Sequence, residues 1–278
     1  MRNHTSPGPD GVPIEALRGE AVQAALATMF SAYLKNPSRV PDALLDAYVV
    51  PVFKRKGSPL EAANYRPVVL LNLVLKVLNR ILLTRLRSVL DEHMLHTQAA
   101  YREGRSCPQQ FCALHLLVQR ALGSKDEELY VVFVDFSRAF DAVSYEALRA
   151  TLDYWKVPRN LADVVFEEFK RQTPRIRWQG KVHAASLHPT SGVLQGDTLA
   201  PFLFILVVDL LLRGLPLESG ILVGDDSHVS AVARGTKSRP QKLERDAITH
   251  TAYADFECHN APKQGMMNRC KVNGSYRS

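Results

Sequence analysis

The sequence predicts a mixed fold of helices and strands, and three observations predict it. Leu129 to Val134 is an uninterrupted apolar and aromatic run, rich in the β-branched types that suit a pleated surface. Leu73 to Leu90 repeats apolar residues at helical spacing, with Lys76, Arg80, Arg85 and Arg87 on the polar side. Thr173 to Lys181 alternates basic and apolar residues before a turn at Gly180, as a strand or hairpin does. No internal repeat interrupts the pattern.

The remaining elements follow in order. Ser6-Pro-Gly-Pro-Asp-Gly-Val-Pro13 is too rich in turn residues for regular structure, and Glu15 to Leu34 continues with helical spacing. Tyr48 to Phe53 reads as a short strand, confined to a sheet edge or bulge by Pro51. Lys54-Arg-Lys-Gly-Ser58 then forms a basic hairpin ahead of Asn64-Tyr-Arg-Pro67. Its cations either clamp phosphates, Lys as a point charge and Arg as a planar fork, or form a solvated loop. Gln98 to Ser106 is a turn whose Arg102 and Arg105 either touch nucleic acid or are structural. Phe111 to Leu122 is expected as a helix packed behind the 129–134 strand, and Tyr145 to Trp155 and Leu161 to Lys170 as two more. Arg175, Arg177 and Lys181 form a second basic face.

Composition bounds the class. The chain has 278 residues, 46% hydrophobic and 23% charged, ample for one large domain or two smaller ones. An excess of 35 Lys and Arg over 28 Asp and Glu leaves +7 and favours a polyanionic partner. An anionic membrane would meet that charge equally, but no cationic amphipathic helix with interfacial Trp is present. Cys107, Cys112, Cys258 and Cys270 lack finger or disulfide-scaffold spacing, so a reducing compartment is expected. No apolar leader follows Met1, and the most apolar stretch, Leu199 to Leu212, holds Asp209 and is too short for a bilayer. A soluble, intracellular protein without membrane contact is the expectation.

The chemistry gathers at three places. Asp135 ends the apolar run, where a carboxylate is costly unless a divalent cation satisfies it or it caps the helix expected from Ser137. Gly192 and Gly196, within Ser191-Gly-Val-Leu-Gln-Gly-Asp197, let the backbone approach a ligand closely, and Asp197-Thr198 caps a helix from Leu199. Asp255, in Ala252-Tyr-Ala-Asp255, lies 60 residues after Gln195, as Gln195 lies 60 after Asp135. Gly224-Asp-Asp226, after Ile221-Leu-Val, reads as a surface turn and not a metal motif. The histidines show no metal-ligand spacing.

Those three segments resemble motifs A, B and C of the reverse transcriptases of LINE-like (non-LTR) retrotransposons, from about Ser6 to Asp255. The resemblance implies an α+β fold: right-hand polymerase fingers and palm, an antiparallel palm sheet packed on helices, and no thumb. It implies fingers and palm-leading helices over 1–128, and a palm over 129–278 with a fingers return at about 156–190. It implies RNA-directed DNA polymerisation in the nucleus with RNA template, DNA primer, dNTP and two Mg²⁺ or Mn²⁺ ions.

On the same resemblance Asp135, the carbonyl of Phe136 and Asp255 hold the metals. Lys54 or Lys56, Arg66, Phe140, Gln195 and Gly196 meet the nucleotide, Phe140 as a steric gate against a 2′-hydroxyl. On residues alone Phe140 is as well a core aromatic in the first turn of a helix. One departure stands out: the family's second motif C aspartate is Phe256 here. The alternative is therefore a basic nucleic-acid-binding remnant without turnover.

Overall fold

The computed structural model describes residues 6–123, 128–134, 136, 138–214, 220–223 and 229–235, the strands at 128–134, 220–223 and 229–235 by backbone alone. In chain order the elements are α1 (Glu20–Lys35), α2 (Asp42–Leu45), β1 (Ala47–Phe53), β2 (Tyr65–Leu71), α3 (Leu73–Leu90), α4 (Cys107–Gly123) and β3 (Glu128–Val134). Then come α5 (Tyr145–Tyr154), α6 (Arg159–Arg171), β4 (Arg175–Trp178), β5 (Lys181–Ser186), α7 (Ala200–Arg213), β6 (Gly220–Val223) and β7 (Val229–Gly235). The chain divides into two compact units, Met1–Leu90 with Val143–Leu203, and Asp91–Ala142 with Phe204–Ser278.

In the first unit a four-stranded sheet runs β2-β1-β4-β5. β1 pairs with β2 antiparallel along its whole length, from Ala47↔Leu71 to Phe53↔Tyr65. It also pairs with β4 in parallel, at Tyr48↔Arg175 and Val49↔Ile176. β1 is thus an inner strand, not the edge strand that Pro51 suggests. The proline is tolerated because the pairing with β4 ends before it and its partner on β2 is Pro67, so neither residue has an N–H to leave unpaired. Between β4 and β5, Gln179 and Gly180 both have positive φ, 48° and 78°, the two-residue turn that matches strand twist.

Helices complete this unit. Leu75, Leu78, Leu82, Leu83 and Leu86 bury one face of α3, as its periodicity predicts. Leu148 and Leu152 of α5 and Val164, Val165 and Phe169 of α6 join the core, and α6 packs against α1, α2 and α5. Ser144 caps α5 by accepting the Ala147 N–H at 3.0 Å. The Pro-Gly-Pro-Asp-Gly opening is pinned: Asp10 N–H reaches Asn72 Oδ1 at 2.9 Å, and a side-chain carbon at Gly8 would collide with the Leu71 backbone.

In the second unit an antiparallel sheet runs β3-β7-β6. Its register runs from Glu128↔Gly235 to Val134↔Val229, and from Gly220↔Val232 to Val223↔Val229. α4 lies against β3 and β6, as expected for a helix behind the motif A strand. It buries none of its residues, and Phe111 is 71% exposed. The helix expected from Ser137 is absent from 138–142. A single turn closes there, Ala142 N–H to Arg138 O, with Arg138 at φ 54° where a helix cannot continue. On α7 the buried Asp209 carboxylate is matched by Arg213 at 2.7 Å and the Leu95 N–H at 2.8 Å. No helix of the described residues is long and apolar enough to cross a membrane.

Candidate functional site

The basic hairpin joins β1 to β2. Arg55 and Gly57 take positive φ, and a side-chain carbon at Gly57 would meet the Asn64 amide. That amide donates to Ser58 O at 2.9 Å and Glu61 Oε2 at 3.1 Å, closing the loop from inside. Lys54 donates to Ala63 O at 2.9 Å, whereas Lys56 is exposed without a hydrogen bond or ion pair among the described residues. Arg66 is exposed in the same way.

Strand register sorts the cations by face. Cross-strand partners share a face and neighbours alternate. Arg66, opposite Val52, therefore lies on the face of Tyr48, as do Arg175 and Arg177. The Arg175 and Arg177 guanidinium carbons stand 5.6 and 5.7 Å from the Tyr48 ring centroid, within cation–π range. Arg175 also pairs with Asp46 at 3.5 Å, and Arg177 is exposed. Lys181 does not share this face, which corrects the grouping read from the sequence. It pairs with Trp178, whose ring belongs to the opposite face with Tyr65 at 5.5 Å and Phe53 beyond. The two-residue turn inverts the parity that counting along the chain suggests.

The Ser191–Asp197 loop is seated on β2. Gly192 N–H reaches Val143 O at 2.7 Å, and Gln195 O accepts the Val69 N–H at 2.6 Å, covering the edge of the sheet. Gly196, at φ 109°, presses on the Val69 carbonyl so closely that a side-chain carbon there would collide with it. Gly192 takes φ 99°, so both glycines singled out in the sequence hold left-handed backbone, and Gly196 is required by backbone contact as well.

Beneath the loop lies a buried polar cluster that the sequence does not announce. Asn79 Nδ2 donates to Glu168 Oε1 at 2.7 Å and to Asp197 Oδ1 at 2.9 Å. Burial holds the Glu168 carboxyl well above its ordinary range, and the Asp197 charge adds to the rise against the Asn79 amide. Burial also raises Asp197, opposed by Asn79 and by the backbone amides of Leu199, Thr198 and Ala200. Burial lowers Lys76, while Asp197 and Asp10 oppose the fall. An Asn on the leucine-lined face of α3 and a Glu at a buried position of α6 are the available signals, since both break an apolar stripe.

Two expected site residues serve packing in the second unit. Arg102 is buried: its guanidinium pairs with Asp91 at 3.1 Å and donates to Leu95 O, Gln98 O and Asp91 O at 2.9, 3.1 and 2.6 Å. No nucleic acid can reach it there, and of the two turn arginines Arg105 is the exposed one. Phe140 is 6% exposed, stacked on Phe204 at 4.9 Å and edge-on to Tyr101 at 6.4 Å, as a core aromatic would be.

Asp135, Asp255, Phe256 and Gly224-Asp-Asp226 lie outside the described residues; Phe136 is half-buried. Val229 pairs both with Val134 on β3 and with Val223 on β6, so Val134, Val223 and Val229 stand in register at one end of the sheet. Among the described residues no group of three or more His, Cys, Asp or Glu is placed to hold a metal.

A family profile described as reverse transcriptase (RNA-dependent DNA polymerase) matches residues 54–255. The chain is 28% identical over 222 residues to the retrovirus-related Pol polyprotein from type-1 retrotransposable element R2 of Nasonia vitripennis, covering 79% of this chain and 21% of that protein. It is 27% identical over 221 residues to the Pol polyprotein from type-2 retrotransposable element R2DM of Drosophila melanogaster, covering 80% and 20%. It is also 27% identical over 238 residues to the RNA-directed DNA polymerase from mobile element jockey of Drosophila melanogaster, covering 82% and 25%. The chain thus spans about a fifth to a quarter of the length of these relatives.

Proposed function

Since the chain belongs to the reverse transcriptase (RNA-dependent DNA polymerase) family, of the LINE-like, non-LTR retrotransposon kind, we propose that it extends a DNA primer on an RNA template. The observation that carries this reading is the basic sheet face, where Arg66 shares a side with Arg175 and Arg177 and is itself exposed and unpaired among the described residues. On this reading Arg66 grips the incoming triphosphate as a fork and Lys56 adds a point charge. Lys56 is preferred to Lys54, whose ammonium is tied to Ala63 O. Gln195 and Gly196, seated on β2, form the turn that packs against the nucleotide base. Arg177 and Arg105 meet the nucleic-acid backbone.

The metal ligands of this reading are Asp135 and the Phe136 carbonyl, hard oxygen donors that suit Mg²⁺ or Mn²⁺. When bound, two such ions activate the attacking 3′-hydroxyl and neutralise charge on the transferred phosphate. For the second carboxylate, Asp255 has the family's Tyr-Ala-Asp setting but is followed by Phe256. Asp255 is the ligand of this reading, and it closes the span that the family profile matches.

Primer extension on poly(rA) with oligo(dT), in Mg²⁺ and in Mn²⁺, tests the proposal. Extension by the natural chain is expected, lost in Asp135→Ala and in Asp255→Asn. Extension retained in Asp255→Asn would remove Asp255 from the ligand set. Extension only after Phe256→Asp would mark that position as an inactivating lesion. Silence from every protein, with RNA binding intact, would make the chain a nucleic-acid-binding remnant.

A further inference from the structure

Among the described residues, four oxygen atoms inside the first unit accept no hydrogen bond: Asn79 Oδ1, Glu168 Oε2, Gln172 Oε1 and Asp197 Oδ2. Their residues are at most 4% exposed. Their other polar atoms form one network, in which the two hydrogens of the Asn79 amide go to Glu168 and Asp197 and Gln172 Nε2 reaches Glu168 Oε1 at 3.3 Å. Acceptors outnumber donors, and two full negative charges on one amide at this depth repel and are poorly solvated. One proton on the pair supplies the missing donor and removes one charge. Backbone amides at the start of α7 and the Lys76 ammonium favour the charge on Asp197. Glu168 receives only side-chain amides, which favours the proton there.

The cluster reaches the nucleotide turn through the chain. Asp197 follows Gln195 and Gly196, whose backbone lies on Val69 of β2. We propose that Glu168 is a positioning residue: in its neutral form it closes the network with Asn79 and Gln172 that seats Asp197, and so holds the Gln195–Gly196 turn on β2. The link to nucleotide binding rests on the reading of that turn given above.

Among the described residues the other charges on neighbouring elements are paired or exposed. From α3 the network meets Lys76 and Asn79, from the loop Asp197, and Asp10 acts on Lys76. On the elements packed against α6, Arg149 of α5 pairs with Asp163 and Asp42 of α2 pairs with Arg171. Glu20 and Lys35 of α1, and Arg39 after it, are exposed.

The test compares the natural chain, Glu168→Gln and Glu168→Ala from about pH 5.5 to pH 8.5, a range that starts above the ordinary carboxyl pKa. One readout is hydrogen exchange at the Val69 amide, corrected for the intrinsic rate; the other is the affinity for dTTP. In the natural chain, protection of Val69 should fall by about tenfold or more as the pH rises, and dTTP affinity should fall with it. Glu168→Gln should hold both flat, since its amide donates where the carboxyl proton does, and Glu168→Ala should be low throughout. Identical pH profiles in the natural chain and Glu168→Gln would overturn the proposal, whatever happens to Glu168→Ala. If Val69 protection follows the expected pattern while dTTP binding is absent or indifferent, the positioning role stands and the nucleotide reading of the turn fails. If dTTP binds but Val69 ignores both pH and Glu168→Gln, the positioning role fails and the nucleotide reading stands.

Discussion

In the turn of residues 98–105 the Arg102 guanidinium is closed in by the Asp91 carboxylate and by the carbonyls of Leu95, Gln98 and Asp91. In the hairpin of residues 53–66 the Arg66 guanidinium is exposed, and the carbonyls around it are taken up by strand pairing and by the Asn64 and Lys54 side chains. A guanidinium carries five donors, and a turn with unpaired carbonyls will absorb them. A hairpin that satisfies its own backbone leaves its arginine for something else. Whether an arginine is structural or functional is thus decided by the main chain around it.

Substitutions can break this contrast, and Arg102 should respond most. Arg102→Met is expected to cost about 3 kcal/mol, because Asp91 and buried carbonyls lose their donors. Urea unfolding measures it, and a cost below about 0.5 kcal/mol would return Arg102 to the surface. Gly196→Ala comes next, at about 2 kcal/mol, since the turn must lift from Val69 or strain. A faster-exchanging Val69 amide should accompany that loss.

Arg66→Ala should leave stability within about 0.5 kcal/mol while weakening dNTP binding about tenfold. An unfolding midpoint that falls with no change in affinity would place Arg66 with Arg102. Glu168 gives a smaller, pH-dependent effect. Its folded pKa is raised above the ordinary 4.5. The folded state therefore keeps a proton that the unfolded state releases, and stability is highest below that value and falls as pH rises through it. Glu168→Gln should remove the decline, so its melting temperature should overtake that of the natural chain by about 3 °C at neutral pH.

The smallest expected effect separates the two faces of the sheet. Arg177→Ala should lower the salt slope of RNA binding by about one, and Lys181→Ala should leave it unchanged if RNA follows the Tyr48 face. Equal slopes for both would mean that the two faces are not distinguished.

Most of the architecture is legible in the chain itself. The leucine spacing of 73–90, the apolar run before Asp135 and the Gly180 turn each have a period or a backbone requirement that local physics enforces. Gly192 and Gly196 announce themselves because φ of 99° and 109° is backbone that other residues rarely adopt, and Gly196 also meets the Val69 backbone. The resemblance to a retrotransposon polymerase likewise rests on ordered motifs that a linear reading can find.

Partners distant in sequence were decided by tertiary structure alone. Pro51 stands on an inner strand because β4, arriving more than 120 residues later, stops pairing before it. Lys181 changes face because strand pairing, not sequence order, sets side-chain parity. Asn79 meets Glu168 89 residues away and Asp197 118 residues away, and only that meeting makes two ordinary acids share one amide. Sequence determines what each segment prefers; which groups lose water together, and so which change their chemistry, depends on the folded arrangement.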